Sequence, residues 1–308
     1  MSPAGPSVAS RPAARSRAGA LLASMRPRQW TKGLVILAPL VFARRAGDPA
    51  ASGRALSGLL AFTLASAAAY LVNDLADRER DRVHPGKRLR PIASGELPAA
   101  PAVAAAALLC LASLAIALFL GLPFLACLLG YLVLQGLYSS LLRRLVVLDV
   151  LAIAAGFVLR VVGGAAAIPV PASGWIVLCT LLLALFLALV KRRAEILALG
   201  GEAARHRDIL ASYPVPLLDL LAIATAGATL VAYALYTVAP GTVARFGSAR
   251  LAFTVPFVIF GLGRYLWLAR RRGEGGQPER VLLGDLATQA NLAGYLAVVA
   301  WAVYGGAP

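Results

Sequence analysis

Apolar runs close to the ~20 residues that cross a bilayer recur along the whole of this chain, and nothing constrains its fold more. Of its 308 residues, 60% are hydrophobic and only 14% charged, against roughly 25% charged in an average soluble domain. Mean hydropathy is +0.77. The expected fold class is all-α, a polytopic membrane protein with no soluble domain of useful size. Nine helices are predicted, near 29–44, 55–73, 99–120, 123–142, 148–167, 174–192, 215–238, 250–269 and 285–304. Residues 1–24 carry Arg11, Arg15 and Arg17 but no apolar run. They lack the hydrophobic stretch of a signal peptide and are expected to be a disordered basic cytoplasmic tail, leaving 25–308 as one transmembrane domain. Cys110, Cys127 and Cys179 sit inside apolar runs without CxxC spacing, which suggests neither a disulfide framework nor a zinc site.

Basic residues near helix ends are retained in the cytoplasm. Most of the 30 Lys and Arg fall in five places: up to Lys32, and within 74–98, 143–144, 191–214 and 264–285. With nine crossings, this puts the N-terminus in the cytoplasm and the C-terminus outside. Every Asp and Glu except Asp48 lies on or near the same side. A face rich in both charges suggests a site for a charged ligand, although a solvated surface obeying the positive-inside rule would look similar.

The densest charge is N-D-L-A-D-R-E-R-D-R-V-H-P-G-K-R-L-R-P-I-A-S-G, residues 73–95. On a helix of 3.6 residues per turn, Asn73, Asp77 and Asp81 share one face with Asp74 beside it. Carboxylates this close repel unless a divalent cation sits between them. Oxygen ligands without His or Cys suit Mg²⁺, which binds through one or two carboxylates plus substrate phosphates. Lys87, Arg88 and Arg90 follow directly, and an acidic turn before a basic loop fits a diphosphate. The competing reading is a charged loop laced by ion pairs between successive turns, such as Asp74 with Arg78 and Asp77 with Arg80, which does not explain an Asn-Asp pair leaving an apolar helix. His84 could serve as a general base or simply bond its own loop.

N-D-x-x-D-x-x-x-D over Asn73–Asp81 and R-P-I-A-S-G over Arg90–Gly95 resemble the first motif of the UbiA superfamily of intramembrane prenyltransferases. The resemblance implies nine helices around a central cavity and a Mg²⁺-bound diphosphate. Most members carry a second acidic motif after the sixth helix; here that position reads K-R-R-A-E-I, Lys191–Ile196, with Glu195 its one carboxylate. Together with R-P-R-Q-W-T-K (26–32), H-P-G-K-R (84–88) and L-D-V-L-A-I-A-A-G-F-V-L-R-V-V-G-G (148–164), this is similar to the decaprenyl-phosphate phosphoribosyltransferase branch, from about residue 25 to the final helix.

That branch implies transfer of 5-phosphoribosyl from phosphoribosyl diphosphate to polyprenyl phosphate, with loss of pyrophosphate, in making the precursor of a cell-wall arabinose donor. The first choice for the metal is Asn73 with Asp77, one turn apart, with Asp74 and Asp81 acting directly or through bound water, and Asp74, Asp77 and Asp81 are also counted as catalytic. The resemblance carries substrate binding onto Lys32, Lys87, Arg143 and Arg160. Charge and position add Arg88, Arg90, Lys191, Arg192 and Glu195, and Tyr70 and Tyr138 complete the candidate substrate-binding set. Arg160, a charge at membrane depth, is expected to meet phosphate rather than pair with Asp149. Membrane lipid is an expected partner, nucleic acid is not, and a homo-oligomer is left open. The rival readings are a prenyltransferase using a prenyl diphosphate and an aromatic or lipid acceptor, and a transporter whose charged loops form a gate.

Overall fold

The computed structural model describes residues 15–84, 86–199 and 213–305. Among them every regular element is helical. The α-helices are α1 Arg17–Ser24, α2 Ala38–Phe42, α3 Pro49–Ala76, α4 Arg78–Val83, α5 Pro91–Ser94, α6 Ala99–Leu120, α7 Leu122–Ser140, α8 Leu148–Ala167, α9 Gly174–Leu199, α10 Val215–Val238, α11 Pro240–Phe246, α12 Val255–Arg271, α13 Pro278–Gly284 and α14 Leu286–Tyr304. Eight segments are long and apolar enough to cross a membrane, and leucines and phenylalanines such as Leu108, Leu118, Phe119 and Leu122 point outward, as a lipid-facing surface requires.

The first of the nine expected helices, 29–44, is the exception. Pro27–Leu37 winds as a 3₁₀ helix and only Ala38–Phe42 is α-helical. Pro39 has no N–H to give to a preceding turn, and Gly33 is a weak helix former. At ~2.0 Å per 3₁₀ residue and ~1.5 Å per α residue the stretch still covers roughly 30 Å. Near its start, Lys32 Nζ lies 3.8 Å from Glu279, just before α14. At its end, the Tyr304 hydroxyl, at the far end of α14, donates to the Val41 carbonyl and accepts from the Ala46 N–H. The stretch therefore runs the length of α14.

Three other boundaries differ from expectation. Residues 17–24, assigned above to the disordered tail, form α1, whose N-cap Ser16 Oγ accepts from the Gly19 N–H; residues 1–14 lie outside the described residues. The helix expected from 55 begins at Pro49, because Asp48 accepts from the Ala50 and Ala51 N–H groups and proline fits a first helical turn. The K-R-R-A-E-I stretch, expected as a loop, is instead the last part of α9. Lys, Arg, Ala and Glu are good helix formers, and the ion pairs Lys191–Glu195 and Arg192–Glu195 bridge successive turns.

The chain divides into two compact units: the residues up to Pro27 with Ser66–Leu109, and Arg28–Ala65 with the residues from Cys110 onward. The first is centred on Ala20, Leu71, Ile92, Leu97, Ala102 and Ala106. The second has one cluster around Ile36, Phe62, Phe124, Leu128 and Tyr131 and another around Val150, Phe186, Leu189, Leu218 and Leu268. Gly164 shows why small residues are needed in α8: a Cβ there would lie 2.1 Å from the Ile36 carbonyl oxygen. Small residues let helix backbones approach in a membrane.

Candidate active site

In the first unit, the motif at the end of α3 is regrouped by the structure. Asp74 and Asp81 are buried, at 3% and 2% exposure, and both face Arg90: its Nη1 lies 3.1 Å from Asp74 Oδ1 and 2.6 Å from Asp81 Oδ2. Arg26 adds a second guanidinium on Asp74 at 2.6 Å and stacks over the Tyr70 ring at 4.7 Å. At about 100° per residue, the seven residues from Asp74 to Asp81 end about 20° short of two full turns, whereas the four from Asp77 overshoot one turn by about 40° and the eight from Asn73 overshoot two by about 80°, so Asp74 aligns with Asp81 better than Asp77 or Asn73 does. The break between α3 and α4 at Asp77 completes the separation.

Asn73 and Asp77 make up the other group, one turn apart and partly exposed. Asp77 pairs with Arg80 at 3.3 Å, an arginine whose side chain is 66% exposed. Of the ion pairs of the competing charged-loop reading, Asp77–Arg80 forms and Asp74–Arg78 does not, Asp74 being held by Arg26 and Arg90. Among the described residues no three His, Cys, Asp or Glu side chains converge as a metal cage. An amide oxygen and one carboxylate on a single face nevertheless fit a magnesium ion that takes its remaining ligands from substrate phosphate and water.

The basic half of the motif is also divided. R-P-I-A-S-G is a one-turn helix, α5, with Pro91 at its first position and Gly95 at φ 87° just past its end; this follows the usual placement of proline and glycine around a helix. Ile92 and Ala93 enter the core, and Arg90, at the cap, carries the clamp. Lys87 and Arg88 lie on the 3₁₀ turn Lys87–Leu89, half-buried and exposed respectively. His84 Nδ1 accepts from the Gly86 and Lys87 N–H groups, so it organises this loop.

In the second unit, Arg192 is 2% and Asp149 0% exposed, and Arg192 Nη2 stands 2.8 Å from Asp149 Oδ2. Arg192 also pairs with Glu195 and stands beside Tyr138. Two other residues expected at substrate, Tyr138 and Glu195, thus both lie against Arg192. Lys191, 40% exposed, pairs with Glu195 at 3.8 Å. Lys32 approaches Gln29 at 3.4 Å and Glu279 at 3.8 Å. Arg143 sits half-buried on the 3₁₀ turn Leu142–Arg144.

Arg160 is 8% exposed. Its Nη2 donates to the Tyr131 hydroxyl at 2.8 Å and its Nη1 to the Gly156 carbonyl at 3.2 Å, with the guanidinium over the Tyr131 ring at 4.5 Å. A planar cation held against an aromatic face keeps its charge while its orientation is fixed. Sequence reasoning missed Arg26, Tyr213 and Glu279 as partners of these groups. Arg26 carried a signal, lying six residues before Lys32 in the same basic segment; Tyr213 and Glu279 carried none.

Apolar helices of spanning length, with paired charges gathered at their ends, define an integral membrane protein built as a helical bundle. The chain belongs to the UbiA prenyltransferase family, whose profile matches residues 34–292. It is 32% identical over 295 residues to a decaprenyl-phosphate phosphoribosyltransferase from Mycolicibacterium smegmatis, covering 92% of each chain. It is 31% identical over 307 residues to one of the same name from Corynebacterium glutamicum, covering 94% of this chain and 88% of that one. Its fold is similar to that of a UbiA homolog from Archaeoglobus fulgidus solved with GPP and Mg²⁺, at a TM-score of 0.66 and 18% identity, over 92% of this chain and 96% of that one.

Proposed function

We propose that this enzyme transfers the 5-phosphoribosyl group of phosphoribosyl diphosphate to a polyprenyl phosphate, decaprenyl phosphate or a close relative, and releases pyrophosphate. The observation that carries the reading is the likeness, over nearly the whole chain, to relatives named as decaprenyl-phosphate phosphoribosyltransferases. The number of cationic side chains among the candidate residues agrees with it, since donor and acceptor together bring four phosphates.

In this reading Asn73 and Asp77 hold a magnesium ion, which when bound offsets the charge that builds on the departing diphosphate. Lys87 and Arg88 hold phosphate oxygens from the adjoining loop. Arg160 and Arg143 bind phosphate in the second unit, and Lys32 and Lys191 add charge. The bond from the anomeric carbon to the diphosphate oxygen breaks, its electron pair leaving with pyrophosphate, and an acceptor phosphate oxygen bonds to that carbon. The attacking oxygen is already anionic, so no strong base is needed and His84 is left to its loop. Catalysis then rests on positioning and charge stabilisation.

The charged ends face the cytoplasm of a plasma membrane and the C-terminus lies outside, in accord with the distribution of Lys and Arg and with a first segment that runs the length of α14. The product would feed synthesis of cell-wall arabinan. Purified protein given Mg²⁺, decaprenyl phosphate and phosphoribosyl diphosphate labelled in the ribose should yield labelled lipid. Consumption of a prenyl diphosphate with an aromatic acceptor, and no labelled lipid, would overturn the proposal in favour of an ordinary prenyltransferase.

A further inference from the structure

From the end of α7 into the first residues of α8 the chain makes a turn, 141–149, that carries Arg143 and Arg144 and is strained at one residue. Val147 has φ 69° and ψ −45°. That region is rare for any residue with a side chain, and a β-branched one is a genuine outlier there. Such backbone persists only where its surroundings over-determine it, and it gathers at functional sites.

The surroundings here are a buried polar chain. The Val147 N–H donates to the Tyr213 hydroxyl at 2.6 Å, and that hydroxyl donates to Asp149 Oδ1 at 2.7 Å. The other Asp149 oxygen lies 2.8 Å from Arg192 Nη2, and Arg192 stands beside Tyr138, near the end of α7. The chain therefore grips the turn on both sides of Arg143. Burial, with the bond to Asp149, pushes the Tyr213 hydroxyl up to about 12, so it remains a donor at any ordinary assay pH.

We propose that Tyr213, Asp149 and Arg192 form a clasp that holds the 141–149 turn in its strained shape and so fixes the Arg143 guanidinium for the phosphate of a substrate. The three are positioning residues acting through Arg143, and the inference rests on the reading of Arg143 as a phosphate-binding group. It also gives Arg192 a different task from the direct substrate contact that its place in the K-R-R-A-E segment suggested.

The test is a double-mutant cycle on the full chain in nanodiscs, reading KM separately for phosphoribosyl diphosphate and decaprenyl phosphate, with melting temperature as the check on folding. Tyr213→Phe removes the hydroxyl from both bonds. It should raise KM about tenfold for the same substrate whose KM rises in Arg143→Ala, with kcat within about twofold of wild type. In the Arg143→Ala background it should add almost nothing, because residues acting in one unit are not additive. If Tyr213→Phe fails to fold, Asp149→Asn is read in the same cycle. A rise in KM for Arg143→Ala with none for Tyr213→Phe, or fully additive losses, overturns the clasp alone. No change in either KM for Arg143→Ala overturns the clasp together with the reading beneath it.

Discussion

The ends of α3 and α9 solve the same problem with opposite signs. At α3 two acids, Asp74 and Asp81, are buried against arginines brought from elsewhere in the chain, Arg26 and Arg90. At α9 an arginine, Arg192, is buried against an acid brought from α8, Asp149. At each end a neighbour in sequence is left more exposed: Asp77 at 21% and Lys191 at 40%. Charges standing side by side in a motif thus divide into buried members that shape the helix end and outward members that can meet a ligand.

The strongest way to break this comparison is to open a clamp. Arg90→Ala leaves Asp74 with Arg26 alone and strips Asp81 of the guanidinium at 2.6 Å. Removing one partner of a buried ion pair costs about 3–5 kcal/mol, so the variant should melt far below wild type or fail to accumulate folded. A wild-type melting curve in detergent would show that the clamp is not structural.

Arg160→Lys should come next. An ammonium cannot reproduce the planar contact with Tyr131 or a forked grip on phosphate, so transfer should fall about tenfold, chiefly through KM, while the folded protein still accumulates. Unchanged kinetics would take Arg160 out of the site. Lys191→Ala should do least to the fold. Its partly exposed i,i+4 pair with Glu195 contributes no more than about 0.5 kcal/mol, so calorimetry should detect almost no shift and any loss of transfer reports charge alone. A large fall in melting temperature would place Lys191 with the buried members instead.

The all-helical fold was legible because long apolar runs dictate it, and eight of the predicted spans appear as helices of spanning length. The 27–42 segment was not, because hydropathy registers apolar character and not that Gly33 is a weak α-helix former or that Pro39 has no N–H to give to the turn before it. The extension of α9 through Lys191–Leu199 was missed for a related reason: charge was read as a loop signal although those residues favour helix. In the α3 motif, residue types and spacing pointed to a metal and phosphate site but grouped the acids by i,i+4 steps. The seven-residue alignment of Asp74 with Asp81 was available from helix geometry alone. That Arg90 would close on both required knowing that R-P-I-A-S-G folds back as one helical turn. The roles of Tyr213 and Glu279 depend on tertiary contacts with residues 64 and 247 positions away, at Asp149 and Lys32, and no local pattern encodes those.

The division of the α3 motif is tested most directly by the Mg²⁺ dependence of transfer in Asp77→Asn and Asp81→Asn, measured beside their melting curves. Asp77→Asn should lose at least about 100-fold in activity, or need far more Mg²⁺, while melting like wild type. Asp81→Asn should melt lower, yet its folded fraction should keep the wild-type Mg²⁺ requirement. An Asp81→Asn protein of wild-type stability with a shifted Mg²⁺ requirement would contradict the account.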